Sequence, residues 1–145
     1  MKWFLALVLG GVLVNGVCAE DAAKKDLNAL QGRWVVQVLH FNGNDVSNKY
    51  KFALVFKDNV ATLEGNDAVK KEYAKIAFQL DPSTTPPCLD LKIVGGAQQD
   101  AVIEGIYELK GDSLRICVNV FGNERPGEFK SPAGGSIALV TLKRE

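Results

Sequence analysis

The side chains able to do chemistry in this sequence are few, and their spacing narrows what they can do. His40 is the only histidine. A Ser-His-Asp or Cys-His site would have to use it, and no nucleophile motif of the G-x-S-x-G kind accompanies it. It stands near the end of a β-rich run, on the parity of Trp34, Val36 and Val38, which suits a structural or surface histidine. One histidine and the widely separated Cys88 and Cys117 match no compact zinc spacing. Glu104 and Glu108 share one face of a strand, but four residues of extended chain separate them by about 13 Å. Glycosidase carboxylates cooperate over roughly 5–9.5 Å, so these two read as solvated charges on an outer face. Gly95-Gly96 and Gly134-Gly135 lack the Lys-Ser/Thr of a phosphate loop and read as turns. The sequence therefore leads us to expect no catalytic site, no metal and no cofactor.

The chain that must position these residues divides into three segments. Residues 1–19 read as a cleavable secretory signal: Lys2 supplies a positive start, Trp3 to Val14 is an apolar run, and Val17-Cys18-Ala19 places small residues at a cut. The run is shorter than the roughly 20 residues a membrane-spanning helix needs. Cys18 raises the alternative of lipid attachment, although Asn15-Gly16-Val17 is a poor lipobox. Cleavage after Ala19, with a soluble periplasmic or extracellular product, is the expectation. Residues 20–31 form a charged, alanine-rich lead-in in which Asp26–Gln31 suits a short helical turn, and residues 32–145 form one domain. The sequence holds 17 basic and 17 acidic residues, Lys2 among the former. So nearly neutral a chain gives no electrostatic reason to expect nucleic acid or an anionic membrane as partner. In an oxidising compartment Cys88 and Cys117 could pair, a link that chain entropy values at about 3–4 kcal/mol. They could equally remain thiols, and the sequence leaves both open.

From Gly32 onward, short β-rich runs alternate with turn clusters, and no helix-period pattern stands out. Eight strands are expected: Arg33–Phe41, Tyr50–Lys57, Asn59–Glu64, Glu72–Leu80, Cys88–Val94, Ala101–Leu109, Ser113–Val120 and Ile137–Lys143. Turn residues separate them, among them Asn42-Gly43-Asn44-Asp45, Gly65-Asn66-Asp67 and Lys110-Gly111-Asp112. A period of two sorts each run into a buried and a wet face. Eight sequential antiparallel strands with one apolar side favour an all-β, up-and-down closed barrel, because closure removes the exposed sheet edges.

A small barrel of this kind either fills its interior with side chains or encloses one small ligand. The expected interior is bulky: Phe52, Leu54, Phe56, Phe78, Leu91, Tyr107 and Leu109, with Tyr107 offering a polar handle. These residues would line an apolar pocket or pack as a solid core. The second place to look is the long connection from Phe121 to Ser136. There Arg125 beside Pro126, with Glu128 and Phe129, would either form an anion- or partner-binding corner or pair internally to pin the loop.

Several separated blocks also carry a resemblance. Leu30-Gln31-Gly32-Arg33-Trp34, Gly105-Ile106-Tyr107-Glu108-Leu109, Gly111-Asp112-Ser113-Leu114-Arg115-Ile116-Cys117, Glu124-Arg125-Pro126-Gly127-Glu128-Phe129 and Leu142-Lys143-Arg144 resemble a lipocalin-like conserved domain of unknown function. That domain is found in exported planctomycete proteins. The resemblance implies a lipocalin-like barrel whose floor is built on Gly32-x-Trp34, with Arg144 or Lys143 lying across the indole, a contact of about 0.5–2 kcal/mol. It implies an export route and supplies no activity. Together the residues and the resemblance lead to the expectation of an exported, non-enzymatic barrel that binds a small apolar molecule inside. The competing expectation is a solid-core envelope module that works through its surface loops, without ligand.

Overall fold

The computed structural model describes residues 21–145; the leader, its cut after Ala19 and Cys18 lie outside the described residues. Helix α1 covers residues 21–30. The strands follow as β1 (Gly32–Phe41), β2 (Asn44–Asp45), β3 (Ala53–Lys57), β4 (Val60–Glu64), β5 (Lys75–Asp81), β6 (Cys88–Gly95), β7 (Val102–Lys110), β8 (Ser113–Asn119) and β9 (Ile137–Arg144). A second helix, α2 (Asp67–Glu72), interrupts them between β4 and β5. Every neighbouring pair is antiparallel, in the order β2-β1-β3-β4-β5-β6-β7-β8-β9, and β1 also pairs with β9. That last ladder, from Trp34 opposite Arg144 to Phe41 opposite Ala138, closes an eight-stranded up-and-down barrel. Strand β2 is a two-residue flap folded back on β1 through Asn42-Gly43, both at positive φ. This is the conformation a two-residue hairpin needs to match strand twist.

The alternation that assigns faces holds along most strands. Leu54 and Phe56, Phe78, Leu89 and Ile93, Ile103 and Tyr107, Leu114, Ile116 and Val118 are all buried in one continuous core. Strand β1 departs from simple alternation. Its register against β9 shifts between Val36 and Val38, so Gln37 is an extra residue and every side chain beyond it changes face, as a bulge requires. Leu39 and Phe41 turn inward, and His40 turns outward, paired with Leu139 and Asp45. The parity expected for His40 is therefore corrected by one inserted residue.

Two helical features exceed the sequence reading. α1 is longer than the short turn expected at Asp26–Gln31 and belongs to the barrel's architecture, with Leu30 buried in the core and Leu27 packed against it. α2 was hidden in a stretch read as turn and strand. Its start is nonetheless written in residue types: the Asn66 side chain accepts from the Val69 N–H, Asp67 sits in the first turn, and Lys70 and Lys71 in the last. β5 consequently begins at Lys75, and β3 begins at Ala53, so that Tyr50 and Phe52 precede their strand.

Candidate ligand-binding cavity

The barrel encloses a cavity of about 440 Å³, within the roughly 300–1,000 Å³ of small-molecule sites. Of the residues expected inside, Phe52, Leu54, Phe56, Phe78, Leu91 and Tyr107 line it. Leu109 does not reach it; this side chain packs lower down, against the core near the β7–β8 turn. The Phe56 and Phe78 rings meet edge to face with centroids 5.5 Å apart, a favoured aromatic geometry. The sequence reading missed part of the wall: Ala68, Val69, Glu72 and Tyr73 from and just after α2, Gln98 from the β6–β7 turn, and Phe41 and Phe121.

One end of the barrel is a built floor. The β3–β4, β5–β6 and β7–β8 turns lie there, and α1 crosses it. Trp34 is fully buried and its Nε1 donates to the Leu30 carbonyl at 2.7 Å. The Arg144 guanidinium lies over the Trp34 ring, 4.4 Å from its centroid. The same group donates to the Gln31 carbonyl at 2.7 Å, to the Ala29 carbonyl and to Asp112 Oδ1 at 3.1 Å. Helix C-termini carry unpaired carbonyls and partial negative charge. A cation fixed there satisfies both and sets the helix across the floor. Gly32 begins β1 at φ +114, and a side chain built on it would stand 3.5 Å from Arg144 Nη1; Lys143 points outward and is exposed. Gln31 ties the helix to the β3–β4 turn by donating to the Asp58 carbonyl and accepting from its N–H. From within the barrel the Tyr107 hydroxyl donates to Asp26 Oδ2 at 2.7 Å. Desolvation, then Asp26 itself, pushes the Tyr107 phenol far above its ordinary value.

The opposite end is the mouth, formed by the β1–β3 connection, α2, the β6–β7 turn and the start of the long β8–β9 connection. The turn after β6 supplies what α2 lacks at its C-terminus. The Ala97 and Gln98 N–H groups donate to the Lys71 and Glu72 carbonyls. Gly96, at φ +106, comes so close that a Cβ would lie 2.5 Å from the Glu72 carbonyl oxygen, so glycine is required both for its conformation and for the approach. This docking brings Gln98 Nε2 to donate to Glu72 Oε2 at 2.9 Å. Phe121 stands at the rim, 73% exposed, edge-on to Phe41 at 6.2 Å.

The long β8–β9 connection does something other than present an anion-binding corner. It folds back along the outside of the barrel. Pro126 is buried there, Phe129 lies under the Arg115 guanidinium at 4.3 Å, and the Cys117 thiol faces the carbonyls of Glu128 and Lys130. Arg125 reaches across β6 and β7, donating to the Leu89 and Gly105 carbonyls and to Asp90 Oδ1 at 2.7 Å, with Glu104 at 3.8 Å. Arg125 and Glu128 do not pair with each other; Glu128 stays out with Lys130 at 3.3 Å. The guanidinium is thus occupied as a strap. Glu104 and Glu108 are both outer-face charges, the latter held by Arg115 at 3.0 Å.

Cys88 and Cys117 are both thiols, and the register explains why. Cys88 opposes Ile106 on one side of β7, and Cys117 opposes it on the other. Two strand spacings place their Cα atoms about 10 Å apart, beyond the roughly 7 Å limit for a disulfide. Burial under the strap raises the Cys117 thiol above its usual range. A reducing agent is therefore expected to leave the melting temperature unchanged.

Fold and cavity together define the class: a closed antiparallel β-barrel with a sealed floor, an open mouth and an apolar interior. No family model matches the chain, and no solved structure matches it with significance. Among curated proteins it is similar to chitin synthase 5 of Pyricularia oryzae, with 31% identity over 119 residues. It is also similar to chitin synthase 7 of Gibberella zeae at 29% and chitin synthase Vb of Fusarium oxysporum f. sp. lycopersici at 27%. Each match covers 79% of this chain and 6% of the relative. The chain thus spans a small fraction of the proteins it resembles, and the likeness is to a segment of domain size.

Proposed function

We propose that this chain is an exported binding protein of lipocalin-like build that holds one small, largely apolar molecule in the barrel interior. The observation that carries the reading is the roughly 440 Å³ cavity, walled almost entirely by aliphatic and aromatic side chains. Apolar surface facing unfilled space forgoes both burial and dispersion contacts, and an apolar occupant restores them. The seal at one end and the gap at the other suit loading from the mouth. A solid-core envelope module that acts through surface loops would have no use for such a space, and its longest loop is strapped to the barrel wall. Export is part of the proposal on the strength of the apolar leader with its small-residue cut.

The test is native mass spectrometry of the chain purified gently from an exporting host, joined to uptake of the neutral fluorophore N-phenyl-1-naphthylamine. An extra mass released by organic solvent, and saturable one-to-one fluorophore uptake, are expected. Leu91→Trp, which fills the middle of the cavity, is expected to weaken that uptake at least tenfold while leaving the circular dichroism spectrum intact. A clean apo mass and no uptake by the wild-type protein would overturn the proposal in favour of the loop-acting module.

A further inference from the structure

We propose that the cavity selects amphiphiles whose polar end donates hydrogen bonds, uncharged or positively charged, and rejects carboxylates of the same chain length. The inference rests on the binding reading above and deepens it. Among the described residues, no lysine, arginine or histidine lines the cavity, and the one charged group that does is Glu72. The wall is otherwise polar only at Tyr50, Tyr73, Gln98 and Tyr107. Lys49, whose ammonium sits 5.3 Å from the Tyr50 ring centroid, and Lys71 and Lys75, close to Glu72 in the chain, are exposed and do not line the cavity.

The two ends of the cavity differ in what they offer a ligand. At the floor the Tyr107 hydroxyl has given its hydrogen to Asp26, so towards the cavity its oxygen can only accept. At the mouth Glu72 Oε2 accepts from Gln98, and the other carboxylate oxygen has no protein donor assigned to it among the described residues. An ion moved out of water needs a partner to offset desolvation. A ligand carboxylate would meet Glu72, a like charge, at the mouth and a phenol oxygen without a hydrogen to donate at the floor. A ligand hydroxyl or ammonium would meet an acceptor held in place by the docked β6–β7 turn. The apolar tail then runs toward the aromatic pair Phe56 and Phe78. Taking the roughly 30 Å³ of a liquid water per heavy atom, the space admits on the order of fifteen non-hydrogen atoms. This size suits a ten-carbon chain with a small head.

The experiment is competition of decan-1-ol, decylamine and decanoic acid against N-phenyl-1-naphthylamine at pH 7, on the full folded chain and on Glu72→Gln. On the wild-type protein the alcohol and the amine are expected to displace the fluorophore at concentrations at least tenfold below the acid. In Glu72→Gln the Gln98 contact can persist through the amide. There the amine is expected to lose about tenfold, the alcohol less than threefold, and the acid is expected to gain. Decanoic acid competing as well as decanol on the wild-type protein would overturn the inference while leaving the binding reading intact. An unchanged ranking in a folded Glu72→Gln would overturn the role of Glu72. Failure of the wild-type protein to take up the fluorophore at all would instead strike the binding reading beneath it.

Discussion

The floor and the mouth of this barrel are made from the same strands and stabilised in opposite ways. At the floor, polar groups are spent on closure: one guanidinium stacks on Trp34, serves two carbonyls at the end of α1 and meets Asp112, while Tyr107 reaches Asp26 from inside. At the mouth, polar groups hold neighbouring pieces of the rim together without spanning it: Asn66 donates to the Lys49 carbonyl, and the Gly134 N–H donates to Asn42 Oδ1. Gln98 meets Glu72, and the β6–β7 turn caps α2, but nothing among the described residues crosses from one side to the other. The difference teaches where stability and function reside. Substitutions at the floor should register in unfolding, and substitutions at the mouth should register in binding.

The sharpest break of that contrast is Trp34→Ala. The indole is fully buried and hydrogen-bonded, and removing it leaves a large void under the α1 plug. A loss of about 3–5 kcal/mol is expected, read as the shift in urea midpoint at constant slope. A loss below about 1 kcal/mol would mean the floor does not hold the barrel. Arg144→Ala comes next, at about 2 kcal/mol. It removes a cation–π contact and strands the Ala29 and Gln31 carbonyls, although partial exposure lets water replace some of what is lost. Arg144→Lys should recover less than half. An ammonium keeps the charge but cannot stack and fork in one plane, so full recovery would show that charge alone suffices.

The floor was also the more legible end. Gly32-x-Trp34 at one end of the domain and Arg144 at the other are local residue types that need only a closed meander to bring them together. The strand count followed from alternation because a half-buried strand repeats every two residues. The mouth was harder to read for three physical reasons. The bulge at Gln37 flips the end of β1 without any glycine or proline to announce it, so Leu39 and Phe41 exchanged faces with Val38 and His40. α2 has six residues, too few for a helical period to emerge from neighbouring turn signals, and with it Glu72 and Gln98 escaped notice. Its signals were the Asn66 cap, Asp67 in the first turn and Lys70 and Lys71 in the last. Arg125, finally, was conspicuous in sequence because of its neighbours, yet its partners are Asp90, Glu104 and two backbone carbonyls supplied by other strands. No local pattern encodes such contacts.

Tyr107 joins the two regions, since its ring lines the cavity and its hydroxyl secures the floor. Tyr107→Phe is expected to cost about 1 kcal/mol at neutral pH, the net worth of one hydrogen bond to a charged acceptor in a half-wet setting. The pH dependence is more specific. The folded phenol is held above its unfolded value by desolvation and by Asp26, and Tyr73 is raised by desolvation and Glu72. Once pH passes about 10, the unfolded chain releases these protons while the folded chain keeps them. Stability therefore is fully present below that pH and falls as pH rises above it. Tyr107→Phe removes the larger of the two contributions. The difference in urea midpoint between variant and wild type should narrow above pH 10, leaving the shallower decline due to Tyr73. Parallel curves through that range would show that the Tyr107 hydroxyl is not sequestered.

The smallest expected effect tests the mouth most directly. Phe121 is 73% exposed and touches Phe41 edge-on, so little apolar area leaves water when the chain folds. Phe121→Ser should change stability by no more than about 0.5 kcal/mol, the usual range for surface positions. Its place at the rim gives it a different lever. A bulky apolar side chain beside the opening lengthens the stay of an apolar occupant by keeping part of it out of water as it leaves. Stopped-flow release of N-phenyl-1-naphthylamine should accelerate by about two- to fivefold, with the entry rate nearly unchanged, because affinity differences within one site fall mainly on dissociation. A release rate unaltered alongside unaltered stability would leave Phe121 without a role at the opening. A stability loss approaching that of Arg144→Ala would erase the distinction between the two ends.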